Sequence, residues 1–207
     1  MCRQFNESQP EGENTRMNGQ NPVHVPYWSP LATARSIVAD WGSSGDLSVD
    51  TDAKWAEKNW LNVPGPFYTG ETDTGMNGPV HAPRMILCGE DGMEFVYRHP
   101  RSPDDVRTLL EAAWGEPMGG YAWDGDERWT PDSVRSWWAD RSRLRTWIAD
   151  EISRCSESRF PHDQATLPAL REFSQSLDGR LPQYLRGYIF WLTEGREPAP
   201  SELLPPL

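Results

Sequence analysis

Residues 85–98 read MILCGEDGMEFVYR, and this stretch decides the fold class. Two apolar runs, MILC and MEFVYR, flank Gly89-Glu90-Asp91-Gly92. Asp-Gly tolerates the positive φ that a tight hairpin turn demands. Alternation along the second run puts Met93, Phe95 and Tyr97 on one face and Glu94, Val96 and Arg98 on the other. The segment is therefore read as a β-hairpin.

Helical signals follow the hairpin. Ser102 is a good N-cap, Pro103 suits the first helical position, and Asp104 and Asp105 favour the positive end of the helix dipole. Val106, Leu109, Leu110 and Ala113 recur at helical spacing up to Gly115, which predicts a helix over 103–114. A long helix is predicted from Thr130-Pro131 to about Cys155, with Val134, Trp137, Trp138, Leu144, Ile148 and Ile152 on its buried side. Two more are predicted over 164–177 and 182–194, stopping at Gly179 and Gly195. Upstream, ATARSIVADW at 32–41 reads as a short helix, and Asp50 or Thr51 caps a second one running to Trp60. The sum is an α+β protein, a small antiparallel sheet (hairpin about 85–98) followed by some four helices.

The expected organisation is one α+β domain over 23–195. A disordered polar tail precedes it at 1–22, and a Pro-rich tail follows at 196–207. Any internal seam is expected near Phe160-Pro161.

The 207 residues carry 31 acidic and 20 basic side chains, a formal charge of −11. Such a balance argues against neutralising nucleic-acid phosphates or lying on an anionic membrane. No apolar run approaches the roughly 20 residues needed to span a bilayer. No apolar signal segment opens the chain, so a cytoplasmic location is expected. The acidity is concentrated: residues 40–130 hold 17 acids against 7 bases. Three scattered cysteines exclude a disulfide scaffold or a Cys-only zinc site. Eleven tryptophans supply either core filler or a recognition surface.

Two long glycine-rich connections carry the candidate site. The first, 62–83, reads NVPGPFYTGETDTGMNGPVHAP and holds Phe67, Tyr68, Glu71, Asp73 and His81. The second, 115–129, reads GEPMGGYAWDGDERW and holds Tyr121, Trp123, Asp124 and Asp126. Loops of such length inside a domain are usually functional or disordered. If they meet at one end of the sheet, Phe67, Tyr68, Tyr121 and Trp123 form an aromatic groove ringed by Glu71, Asp73, Asp124 and Asp126. That groove suits a cationic partner. The competing reading is a pair of solvated loops whose aromatics plug the core.

Other chemistries find little support. Asp124-x-Asp126-Glu127 lacks the ligand spacing of a calcium loop, and His81, His99, Cys88 and Cys155 lack zinc spacing, so no metal and no cofactor is expected. There is no GxSxG, no Walker A and no GxGxxG. Arg135, Arg141, Arg143 and Arg145 read as a solvated, ion-paired face.

The motif series NVPGPFYTGETDTG, EDGMEFVYRHPR, SPDDVRTLLEAAW and GYAWDGDERWTPD spans about residues 60–140. It resembles a family of small acidic bacterial proteins of uncharacterised role, sometimes labelled ferredoxin-like. Cys88 is the only cysteine in this region, which gives that label no cluster ligands. In size and acidity the chain also resembles bacterial immunity proteins. That likeness implies an acidic binding protein that masks a basic protein partner, such as a toxin. The alternative is an enzyme or small-molecule binder of specialised metabolism. The 62–83 loop then covers an aromatic and acidic pocket, with Asp73, Glu71 or His81 as catalytic candidates.

Overall fold

The hairpin forms as its sequence dictates. In a computed structural model that describes residues 27–42, 51–70, 77–89, 91–115 and 119–207, β2 (Ile86–Cys88) pairs antiparallel with β3 (Glu94–Val96). The register sets Ile86 opposite Val96, Leu87 opposite Phe95 and Cys88 opposite Glu94. Gly92 takes φ +81°, the turn conformation that its lack of a Cβ permits. The polar segment 1–22 and Glu90 lie outside the described residues.

Both faces of the hairpin are buried. Leu87, Phe95 and Tyr97 join one hydrophobic cluster, and Met85, Ile86 and Val96 join another. The two strands therefore form a partition between two cores.

The first core is helical. It is built from α6 (Pro131–Ala139), α7 (Arg141–Glu157), α8 (Pro161–Ser176) and α9 (Arg180–Glu194), whose apolar stripes supply Val134, Leu144, Ile148, Leu170, Phe173, Leu185 and Ile189. At the start of α6, Thr130 Oγ1 accepts from the Ser133 N–H at 3.2 Å and Ser133 Oγ accepts from the Thr130 N–H at 2.9 Å. The single helix expected over 130–155 is in fact two. The chain leaves helical geometry at Asp140 (φ −85°, ψ 13°), where a tight turn brings the Arg143 N–H to the Asp140 carbonyl at 3.0 Å. Asp is a poor interior helix former because its side chain competes for backbone groups. Helix α8 begins at Pro161, three residues before the expected start, because proline suits the first helical position. Helix α9 ends at Gly195 in the left-handed conformation, φ +65°. The core runs across the Phe160-Pro161 junction, since α7 and α8 pack side by side there.

The second core gathers α1 (Leu31–Asp40) and α4 (Pro103–Trp114) through Ala34, Ile37, Val106, Leu109 and Leu110. Ser102 caps α4 as expected, accepting from the Asp105 N–H at 3.1 Å. Short elements complete the fold: α2 (Thr51–Ala56), α3 (Asn77–His81), α5 (Gly125–Arg128), and a second ladder pairing β1 (Tyr68–Thr69) antiparallel with β4 (Tyr121–Ala122).

A buried polar knot ties the two ladders together. Asn62 Oδ1 accepts from the N–H groups of Val96 (2.9 Å) and Thr69 (3.2 Å), and its Nδ2 donates to the carbonyls of Thr69 (2.8 Å) and Asn59 (2.9 Å). The Thr69 hydroxyl donates to the Glu94 carbonyl at 2.5 Å. The Glu94 side chain, 0% exposed, accepts from the Gly78 N–H at 2.8 Å and from the Tyr121 hydroxyl. Such satisfaction is what makes a buried carboxylate tolerable.

The Pro-rich end 196–207 lies against the domain. Arg186 donates to the carbonyls of Pro205 (2.8 Å) and Leu204 (2.6 Å), Arg135 to that of Pro206 (3.2 Å), and Leu204 is buried. Among the described residues no helix is long and apolar enough to cross a membrane.

Candidate functional site

The two long loops do meet, through the β1–β4 ladder. They meet as an interior seam. Phe67, Tyr68 and Tyr121 are buried, and Trp123 is half-buried. The Tyr68 hydroxyl donates to Asp124 Oδ1 at 2.8 Å, and Arg128 Nε donates to Asp124 Oδ2 at 2.8 Å. Asp126 accepts from the Tyr188 hydroxyl at 3.0 Å and from Trp191 Nε1 at 2.8 Å. Burial pushes its carboxyl above the ordinary range despite those two donors. A void of about 10 Å³ between Phe67, Tyr121 and Trp123 is too small for a ligand. Glu71 and Asp73 lie outside the described residues, and His81 is exposed on α3.

Beside this seam sits a buried imidazole. His99 Nε2 lies 2.9 Å from the Val63 carbonyl, its ring stacks on Tyr184 at 5.4 Å, and its Nδ1 has no partner among the described residues. Burial lowers its pKa to about 4, so the ring is neutral near pH 7.

A much larger concave feature lies elsewhere. A cleft of about 700 Å³ opens between the hairpin with α3 on one side and the α7–α8 pair on the other. Pro79, Val80, Pro83, Ile86, Leu87 and Ala169 give it apolar walls. Two exposed apolar side chains mark its rim. Val80, 75% exposed, lines it, and Phe160, 64% exposed, stacks at 5.6 Å on the lining His162.

One end of the cleft is polar. Glu151 sits on the buried stripe of α7, and Asp163 lies in the first turn of α8, just past the loop at 158–160. Arg154, one turn along from Glu151, serves both acids. Its Nε and Nη2 donate to Glu151 at 3.0 and 2.6 Å, and Nη2 donates to Asp163 Oδ1 at 3.2 Å. The Ser158 hydroxyl donates to Asp163 Oδ2 and, with Arg154, holds that carboxyl below its usual range. Gln164 Nε2 secures the junction by donating to the carbonyls of Cys155 and Ser158, both at 2.8 Å. Behind this group, burial pushes the Cys155 thiol up to about 11. It therefore stays protonated, the opposite of an activated nucleophile. Among the described residues no three His, Cys, Asp or Glu side chains converge as a metal site requires.

The sequence reading missed this end, although a signal was there. Leu144, Ile148, Glu151 and Cys155 fall at 4-3-4 spacing on one helix face. An acid on an apolar stripe demands a partner. Comparison with family models, with curated proteins and with solved structures finds no match, so the cleft is read from its own geometry.

Proposed function

We propose that this is an acidic binding protein that masks a basic protein partner, in the manner of an immunity protein, by docking it over the cleft between the hairpin and α7–α8. The observation that carries the reading is the cleft itself, apolar along its walls, rimmed by Val80 and Phe160, on a chain of formal charge −11. An apolar recess takes a partner's side chain, and the net charge attracts a basic surface and repels an acidic one. The acids of the 115–129 loop contribute less than their number suggests, because Asp124 and Asp126 are engaged internally.

The test is an amide NMR titration with short peptides that combine arginine with leucine or phenylalanine. Shifts are expected at Leu87, Cys88 and Ala169. They should vanish in Ala165→Trp, which fills the cleft from an exposed wall position. Shifts confined to the α1–α4 side, or none, overturn the reading. A second reading, a small-molecule binder, draws on the same cleft, since Asn77, Pro79, Val80 and Pro83 of the long 62–83 connection form one wall. It predicts that an apolar dye saturates the cleft at one site while the peptides leave the spectrum unchanged.

A further inference from the structure

We infer that the polar end of the cleft is an anchor pocket for an arginine side chain of the partner, an inference that rests on the docking reading above. Charge at this end of the cleft is unbalanced. The Glu151 and Asp163 side chains are 5% and 7% exposed, and a single guanidinium, Arg154, serves both. His162 approaches Asp163 Oδ1 at 3.5 Å, but it is 67% exposed and is charged only when protonated. The Ser158 hydroxyl adds a hydrogen bond and no charge. Two carboxylates against one guanidinium leave an excess negative charge on the wall of the cleft, which a cation entering the cleft would meet. Asp91, exposed in the hairpin turn between the lining Gly89 and Gly92, adds to the negative field at the cleft.

The walls select the shape of the cation. Ile86, Leu87, Pro83 and Ala169 form an apolar path to the carboxylates. An aliphatic stem ending in a charge fits such a path, because long basic side chains bury their methylenes and keep the head polar. Arginine suits it better than lysine. Its planar fork donates to two oxygens at once and sheds water more easily. The cleft volume of about 700 Å³ exceeds one side chain, which leaves room for an apolar neighbour of that arginine.

The experiment is calorimetric titration of the full chain with an acetylated, amidated Gly-Leu-Arg-Leu-Gly peptide and with its citrulline counterpart. Citrulline keeps the shape and removes the charge. The arginine peptide is expected to bind about tenfold or more tightly, with a preference that shrinks as salt rises. In Glu151→Gln the preference should fall to about twofold or less, since the charge excess is gone. If that variant fails to fold, Asp163→Asn makes the same test. Equal affinity of the two peptides for the wild-type protein, with both lost in Ala165→Trp, overturns the anchor while the docking reading stands. Binding of neither peptide overturns the docking reading itself.

Discussion

The two cores on either side of the hairpin are built by different physics. On one side, four helices of 9 to 17 residues bury continuous apolar stripes, and polar groups work mainly at helix ends. On the other, α1 and α4 pack through shorter stripes, and the elements that join them to the hairpin, of two to six residues, carry too few backbone bonds to hold themselves. That side is fixed by individual side-chain atoms and by glycines at points of close approach. The helical core should therefore forgive changes that keep volume, and the loop-built core should not. The sharpest break of this contrast is Asn62→Leu set against Leu170→Met. Leucine at 62 strands the N–H groups of Val96 and Thr69 in a dry interior and takes one of two donors from the carbonyls of Thr69 and Asn59. The expected loss is about 4 kcal/mol in urea unfolding. Methionine at 170 should lose under about 1.5 kcal/mol. Similar losses at the two positions would dissolve the distinction.

Gly125→Ala probes the same contrast through space. A Cβ there lies 2.1 Å from the Gly65 carbonyl oxygen and 2.9 Å from that of Pro66, both backbone atoms that cannot swing aside. The Gly125 N–H donates to Pro66 O at 3.0 Å, so shifting the chain also breaks the seam. A loss of about 3 kcal/mol is expected in the same unfolding experiment. A loss under about 1 kcal/mol would mean that the seam yields.

His99, packed between the seam and α9, gives the fold a pH signature. Its folded pKa of about 4 lies below the ordinary 6.5, so between those values the unfolded chain binds the proton and the folded chain does not. The contribution is complete above about pH 6.5 and is lost as pH falls toward 4, with a span of about 3 kcal/mol. Unfolding free energy measured from pH 7.5 to 4 should show this slope, and His99→Gln should flatten it. A slope unchanged in the variant would mean that His99 is not the group that takes up the proton on unfolding; the lowered pKa of Asp163 acts in the same direction but below about pH 4, outside this range.

The same division governs what the sequence reveals. Helices α4, α8 and α9, the helical character of 131–157 though not its break at Asp140, and the hairpin were legible because periodicity, caps and glycine stops act locally, as Ser102, Thr130 and Gly195 do. The β1–β4 ladder was not, because two-residue strands leave no periodic trace and their pairing is set by Asn62 and Gly125 across the chain. The aromatics Phe67, Tyr68 and Tyr121 were singled out as a groove, yet aromatic residues in a glycine-rich loop read alike whether they face water or plug a core. The cleft was illegible as a whole, since its walls come from α3, the hairpin, α7 and α8. Only Glu151, an acid on an apolar stripe, pointed toward it.

The smallest expected effect sharpens the comparison by finding where the two halves agree. Ser102 caps α4 on the loop-built side, and Thr130 caps α6 on the helical side. Each side chain accepts one N–H from the first turn, at 3.1 and 3.2 Å, a bond that depends on the helix end and not on the core beneath it. Ser102→Ala and Thr130→Ala should each lose about 1 kcal/mol in thermal or urea unfolding. Equal losses would confine the contrast to the interior, where Asn62 and Gly125 sit. A loss at Ser102 several times that at Thr130 would mean that the polar dependence of the loop-built half reaches out to its helix ends, and that α4 is held by its cap more than by the Val106–Leu109–Leu110 stripe.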